Sequence, residues 1–183
     1  ENLLDRAADM LQTDRQLLVE RCRSLVQNRV LLRYSEGSVP AGPQYLQLPH
    51  SYRAESKIAE VVVRLQTVRS GLPPIRIEGA VTWAQERAGF QFSSEQERAI
   101  RAALSNKIFV LTGGPGTGKT TILRALVEIL RAKKVRVHLA APTGRAAQRL
   151  AETTGGFAQT IHRLLKVEPA KGGFTVNEAH PLN

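Results

Sequence analysis

Cysteine is almost absent from this sequence, since Cys22 is the only one among 183 residues. A single thiol cannot form an internal disulfide, and it cannot supply the set of cysteines that a structural zinc or iron–sulfur site requires. The sequence also begins without the basic and then apolar leader that is typical of an exported protein. These features predict a reducing, cytoplasmic setting for the protein.

Long apolar runs are missing as well. No stretch approaches the roughly 18 consecutive apolar residues that a membrane-spanning helix needs. The sequence therefore predicts no contact with the interior of a membrane.

Acidic residues are scarce in the second half of the chain. Residues 101–183 hold 4 Asp and Glu against 13 Lys and Arg, whereas residues 1–100 hold 12 against 13. Most of the formal net charge of +10 therefore lies in residues 101–183. A surplus of this size is typical of proteins that bind a polyanion such as nucleic acid. The alternative is that an acidic segment elsewhere in a longer protein neutralises it.

A glycine-rich loop stands out in this basic half. An apolar run at residues 109–112 leads into the loop, and an amphipathic helical pattern follows it. This order fits the phosphate-binding pattern G-x-x-x-x-G-K-[ST], in which glycines let successive backbone N–H groups turn toward one anion. The predicted nucleotide-binding residues are Gly113, Gly114, Pro115, Gly116, Thr117, Gly118, Lys119, Thr120 and Thr121.

Two residues of this loop have predicted roles in chemistry. Lys119 would place a cation against the β- and γ-phosphates of a nucleotide, and Thr120 would offer a hydroxyl ligand to Mg²⁺. The helix that begins here would direct its free N–H groups at the same phosphates. An ordinary glycine turn would need neither the lysine nor the threonines, so the pattern favours ATP and Mg²⁺ as cofactors.

The first seventy residues predict a small, mostly helical domain. Two helical patterns precede short apolar runs at residues 30–34 and 44–48, which predict a hairpin, and a third helix follows. Helix, helix and hairpin in this order are typical of the end of a winged-helix module, which could touch DNA. A small packing domain without a ligand is an equal alternative, because the segment is nearly neutral.

The stretch at residues 70–74, rich in glycine and proline, predicts a linker. We therefore expect an N-terminal domain at residues 1–70, a linker with a short helix at 71–89, and the first part of a nucleotide-binding domain at 90–183. In the short helix, Trp83 is expected to be a core anchor.

Gln96 is a candidate for reading the base of the nucleotide. Ser94 and Glu97 predict a capping box that starts a helix there. In its first turn, Gln96 would present a side-chain amide that can both donate to and accept from the N6 and N7 edge of adenine.

The fold class predicted for the second half is α/β. The apolar run at 109–112, the helix after the loop and a second apolar run at 135–140 predict a right-handed parallel unit, with the nucleotide at the carboxyl edge of its sheet. The second run leads into residues 142–145, where Thr143, the backbone of Gly144 and Arg145 can donate to phosphates. A short helix capped by Thr160 would carry His162 toward the same ligand.

Four segments, FSSEQERAI around Gln96, GGPGTGKTT, APTGRAAQRL and TIHRLL, resemble superfamily 1 DNA helicases, and most closely the RecD-like group that includes the exodeoxyribonuclease V alpha subunit. The resemblance implies an ATP-driven motor that moves 5′ to 3′ on single-stranded DNA in DNA repair and recombination. The implied fold is an incomplete RecA-like parallel sheet of the P-loop NTPase class, preceded by the winged-helix-like domain. The implied partners are a second RecA-like domain and other exodeoxyribonuclease V subunits.

The resemblance also implies roles for single residues. It assigns adenine recognition to Gln96 and catalysis to Lys119 and Thr120. It assigns DNA binding to two segments, whose residues are Pro142, Thr143, Gly144 and Arg145 in the first and Thr160, Ile161 and His162 in the second.

One part of the family pattern is missing. No apolar run that ends in Asp-Glu follows Thr120, and Glu152, Glu168 and Glu178 stand in other contexts. Hydrolysis needs such an acid and an arginine from a second lobe. We therefore expect the acid beyond Asn183, and an ATP-hydrolysing helicase only in the full-length protein, with nucleotide binding but no useful turnover by these 183 residues. A non-motor ATP-binding scaffold or regulator, or another P-loop enzyme such as a small-molecule kinase or a clamp-loader type ATPase, remains an alternative.

Overall fold

The structure is a computed structural model that describes residues 3–35 and 44–182. The chain divides into two compact units, Glu1–Leu65 and Gln66–Asn183. The finer division into residues 1–70, 71–89 and 90–183 stays a prediction.

The first unit contains two helices, a hairpin and a third helix. They are α1 (Leu3–Leu11), α2 (Arg15–Gln27), β1 (Leu32–Ser35), β2 (Gln44–Gln47) and α3 (Pro49–Gln66). The two strands pair antiparallel, with Leu32 opposite Gln47 and Ser35 opposite Gln44, so the predicted hairpin is confirmed. Proline fits the start of α3, because the first helical residue has no N–H bond to lose.

Packing in the first unit is shallow. Within residues 3–35 and 44–65, no side chain is fully buried. Its aromatic contacts join Tyr34 to Tyr45 and to Tyr52, with ring centroids 5.5 and 5.4 Å apart.

The second unit contains five helices, four short strands and a 3₁₀ turn in its described residues. They are α4 (Ile77–Ala88), α5 (Ser94–Ser105), α6 (Lys119–Ala132), β3 (Leu139–Ala141), α7 (Gly144–Thr154), β4 (Ala158–Thr160), α8 (Ile161–Leu164), β5 (Val167–Glu168), the turn Pro169–Lys171 and β6 (Gly173–Phe174). Mixed helix and strand agrees with the predicted α/β class.

The core of the second unit lies between α4, α5 and α6. Its buried side chains are Val81, Ala84, Phe92, Ile100, Leu104, Ile122, Ala125 and Ile129. Trp83 is not among them. Its ring is 37% exposed and lies under the guanidinium of Arg87, so the prediction of a core anchor is wrong. Val81 and Ala84, which lie on another face of α4, fill the core instead.

The parallel pair that the structure contains shares only Leu139 and Ala140 with the predicted unit. β3 pairs parallel with β4, with Leu139 opposite Ala158 and Ala141 opposite Thr160, and α7 is the crossover between them. Residues 109–112 form no strand ladder with any described residue, and Val110 is 75% exposed. The predicted unit built from 109–112 and 135–140 is therefore wrong, because a strand needs a neighbour to pair with and an apolar run alone does not supply one.

Among the residues that the structure describes, no helix combines the length and the apolarity needed to cross a bilayer.

Candidate nucleotide and DNA site

The glycine-rich loop turns sharply into α6. Gly118 is the N-cap of α6 and has a φ of 78°, and Gly116 has a φ of 76°. These left-handed conformations strain any residue with a Cβ, so the loop needs glycine at both positions. Since α6 begins at Lys119, the N–H groups of its first turn have no carbonyl one turn earlier and face the loop. This arrangement is suited to an anion.

The ammonium group of Lys119 lies inside the loop. It donates to the carbonyl of Gly113 at 2.7 Å, to the carbonyl of Gly114, and to the hydroxyl of Thr117 at 3.3 Å. The Thr117 hydroxyl in turn donates to the Gly114 carbonyl at 3.0 Å. The charge predicted to meet the phosphates is therefore held where the loop's backbone converges.

Gln96 caps its own helix, one residue earlier than predicted. The Ser93 hydroxyl accepts from the Gln96 amide at 3.3 Å, and the Gln96 Oε1 accepts from the Ser93 amide at 3.0 Å. The capping pair predicted from Ser94 and Glu97 is therefore wrong: Ser94 is the first helical residue, and its neighbour Ser93 has the extended backbone that a cap requires.

The same glutamine touches the phosphate loop. A Cβ added to Gly118 would collide with Nε2 of Gln96, so the side-chain amide lies directly on the loop's backbone. The structure brings these two residues together across 22 positions of sequence, as a shared nucleotide site requires. The role of Gln96 in reading adenine stays a prediction.

Gln85 supports this contact and was missed by the sequence analysis. Its side chain is buried, and its Oε1 accepts from the amide of Phe92 at 2.7 Å. The bond anchors the segment that leads from α4 into Ser93 and Gln96. A glutamine within a helix carries no signal in sequence that could have marked it.

Six of the ten predicted nucleotide-binding residues line two cavities. Gln96, Gly113, Thr117 and Lys119 line one of about 390 Å³. Thr120 and Thr121 line another of about 350 Å³, on the side of α6 that faces α4 and the end of α7. Polar side chains at the start of α6 therefore face both cavities.

The two segments predicted to bind DNA lie side by side. Because Ala141 is opposite Thr160 in the parallel pair, residues 142–145 and 161–162 leave the same edge from adjacent strands. Thr143 caps α7 by accepting from the Ala146 amide at 3.3 Å, and Thr160 caps α8 by accepting from the Arg163 amide at 3.2 Å. The sequence analysis predicted both segments and the Thr160 cap, but not β4, which brings them together.

The two segments differ in how free their side chains are. The side chain of Arg145 is exposed and forms no hydrogen bond or ion pair within residues 3–35 and 44–182, and Pro142 and Gly144 beside it are exposed as well. The ring of His162 lies 6.0 Å from that of Phe174. Arg145 is therefore the side chain best placed to meet a phosphate, whereas His162 already has a neighbour.

Comparison with known proteins agrees with these motifs. Residues 96–183 match a family described as an AAA domain, which is a P-loop NTPase domain. The chain is 37% identical over 149 residues to the ATP-dependent RecD2 DNA helicase of Deinococcus radiodurans. The aligned region covers 81% of this chain and 20% of that protein. The chain is 36% identical over 147 residues to the RecBCD enzyme subunit RecD of Mycolicibacterium smegmatis, covering 68% of this chain and 25% of that one.

A more distant helicase matches as well. The ATP-dependent DNA helicase PIF1 of Trypanosoma brucei is 36% identical over 100 residues, covering 55% of this chain and 10% of its own length. The chain thus spans a quarter or less of these relatives. The matches confirm the predicted resemblance to RecD-like helicases.

Proposed function

The chain is a relative of the RecD-like DNA helicases, and we propose that it carries the ATP-binding region and part of the DNA-binding surface of a helicase that moves 5′ to 3′ along single-stranded DNA in repair or recombination. The observation that supports this best is how the second unit arranges its phosphate loop and its two polar segments. A phosphate loop with Lys119 inside it starts α6, and two polar segments leave one sheet edge at Ala141 and Thr160.

The proposed ATP site consists of the phosphate loop together with Gln96 and Thr120. The loop amides and Lys119 hold the β- and γ-phosphates, and Gln96 lies against Gly118 where it can meet the base. Thr120 suits Mg²⁺, because this cation needs few protein ligands when phosphates supply the others. The described residues contain no cluster of three or more His, Cys, Asp or Glu that could hold a metal ion. When bound, Mg²⁺ neutralises charge on the phosphates.

The proposed DNA site uses the backbone of the strand rather than its bases. Arg145 offers an unengaged guanidinium, and Thr143, Gly144, Thr160 and His162 lie at the same edge. Contacts of this kind hold phosphates without reading sequence. The surplus of positive charge in residues 101–183 would draw the polyanion to this unit.

Hydrolysis needs groups that we place outside these residues. Glu128 pairs with Arg124 at 3.1 Å and with Arg87 at 3.2 Å, and Glu152 accepts from Gln148 at 3.0 Å. Both lie within helices, whereas the expected catalytic acid follows a buried strand. We therefore propose that a second RecA-like lobe supplies the remaining groups, and that the first unit is a winged-helix-like module. Cytoplasmic location and association with exodeoxyribonuclease V subunits are part of this proposal.

The test is nucleotide and DNA binding by the purified 183-residue chain. A fluorescent ATP analogue and a fluorescein-labelled oligo-dT should both bind, and ATP turnover with DNA should stay at the level of the blank. If small nucleosides rather than DNA compete with ATP for binding, a small-molecule kinase would be favoured. DNA-stimulated turnover by this chain would contradict the assignment of the catalytic acid to another segment.

A further inference from the structure

The last turn of α6 binds the last turn of α7. Nη1 of Arg131 donates to the carbonyl of Thr154 at 3.4 Å and to that of Gly155 at 3.3 Å. The guanidinium also covers Gly156 so closely that a Cβ added there would collide with Nη2. One arginine therefore contacts three consecutive residues at the end of α7.

The chemistry of a helix end explains this contact. The last carbonyls of a helix have no N–H partner, and the aligned peptide dipoles place partial negative charge there. Gly155 ends α7 in the left-handed conformation, with a φ of 59°, and its carbonyl then points outward. A guanidinium has several donors in one plane, so it can bind two such carbonyls at once.

The position of Arg131 joins the two proposed sites. Its helix, α6, begins at Lys119 of the phosphate loop. The helix that it contacts, α7, begins at Gly144, between Thr143 and Arg145, and the turn that it covers leads into β4 and Thr160. A displacement of α6 at the loop would thus reach both DNA segments through the packed contact between α6 and α7, to which Arg131 adds its hydrogen bonds, because packed helices move as rigid elements.

We propose that Arg131 is a positioning residue that couples nucleotide binding at the loop to single-stranded DNA binding at the edge of β3 and β4. This proposal rests on the proposed function, since both ligands must bind for a coupling to exist. It predicts a specific defect: without Arg131 each ligand binds, but neither influences the other.

The experiment measures oligo-dT affinity by fluorescence anisotropy with and without a non-hydrolysable ATP analogue. The unmodified chain should show a ratio of the two dissociation constants of about fivefold or more, the lower range for coupled sites. Arg131→Ala should bring this ratio to within about twofold of one, while the affinity for the analogue without DNA changes by less than about twofold. Arg131→Lys keeps one donor and the charge, and should retain part of the ratio.

Two further variants separate coupling from general damage. Gly156→Ala should displace the guanidinium sterically and reproduce the loss, since Gly156 lies outside the positive-φ conformations that make alanine costly. Lys133→Ala removes one charge from the same exposed end of α6 and should keep the full ratio. The melting temperature of each variant shows whether the fold is retained.

Five outcomes decide the matter. Loss of the ratio in Arg131→Ala and Gly156→Ala, but not in Lys133→Ala, supports the proposal. A retained ratio in Arg131→Ala overturns it, as does an equal loss of both affinities together with a lower melting temperature, which would indicate a purely structural role. A ratio near one in the unmodified chain, with both ligands bound, also overturns it. If the unmodified chain binds neither ligand, the proposed function itself fails.

Discussion

The two units of this chain differ in depth of packing and in charge. Residues 1–65 carry a formal net charge of +1, and their described part contains no fully buried side chain. Residues 66–183 carry +9 and enclose a core around Ile100, which is 0% exposed. Every predicted site residue lies in the second unit, which is also the unit that contains the core. A loop that must hold a cation among carbonyls needs a well-packed helix behind it, and α6 is packed into the core through Ile122, Ala125 and Ile129.

The largest effect that would test this contrast is a cavity in the core. Ile100→Ala should lower the free energy of unfolding by about 2–5 kcal/mol, because the buried side chain leaves a void that its neighbours fill only in part. Leu25→Ala in α2, where the side chain is half-buried, should cost clearly less, about 1 kcal/mol. Urea unfolding followed by circular dichroism measures both, and equal losses would contradict the contrast.

Removing the charge in the loop should give the next largest effect. Lys119→Ala deletes a cation that would bond the phosphates, and a hydrogen bond to a charged group contributes about 1.5–3 kcal/mol. ATP affinity should therefore fall roughly 10- to 100-fold, with little change in melting temperature, and full-length protein with this change should not unwind DNA. Lys57→Ala, at an exposed lysine of the first unit, is the control. Normal unwinding by the Lys119 variant would refute the role of this residue.

The contact between Gln96 and Gly118 gives a smaller, two-part effect. Gly118→Ala adds a Cβ at a φ of 78° and against the Gln96 amide, so stability should fall by about 1–2 kcal/mol and ATP affinity should weaken with it. Gly79→Ala places the same methyl group within α4, where nothing lies within 4 Å. It should stabilise the protein by about 0.5–1 kcal/mol. Differential scanning fluorimetry distinguishes the two; a neutral Gly118 variant would contradict the left-handed backbone at this position.

The smallest effect concerns a single phosphate contact. Arg145→Ala should weaken oligo-dT binding to a similar extent for all sequences and reduce the slope of log affinity against log salt by about 0.7, as expected for one contact to a single strand. Arg33→Ala changes an exposed arginine of the first unit and should leave the slope unchanged. A slope that changes for Arg33 and not for Arg145 would reverse the assignment of DNA binding to the second unit.

Much of the local structure follows from the sequence. The glycine and lysine pattern located the start of α6 within a residue, and the Thr160 cap and the hairpin of β1 and β2 were also predicted. These features depend on neighbours along the chain, where hydrogen-bonding side chains and φ preferences act directly. The capping box was misplaced by one residue because Ser93 and Ser94 are both good caps.

The sequence by itself determined the phosphate loop, the two polar segments and the charge that separates the units, because these depend on residue type and spacing alone. Only the tertiary structure decided that β4 pairs with β3, that Trp83 faces solvent, and that Gln96 lies on Gly118. Only it joined Arg131 to the end of α7. The strand pairing and the contacts of Gln96 and Arg131 join residues far apart in the chain, and their free energy arises from burial and hydrogen bonds that no local pattern encodes.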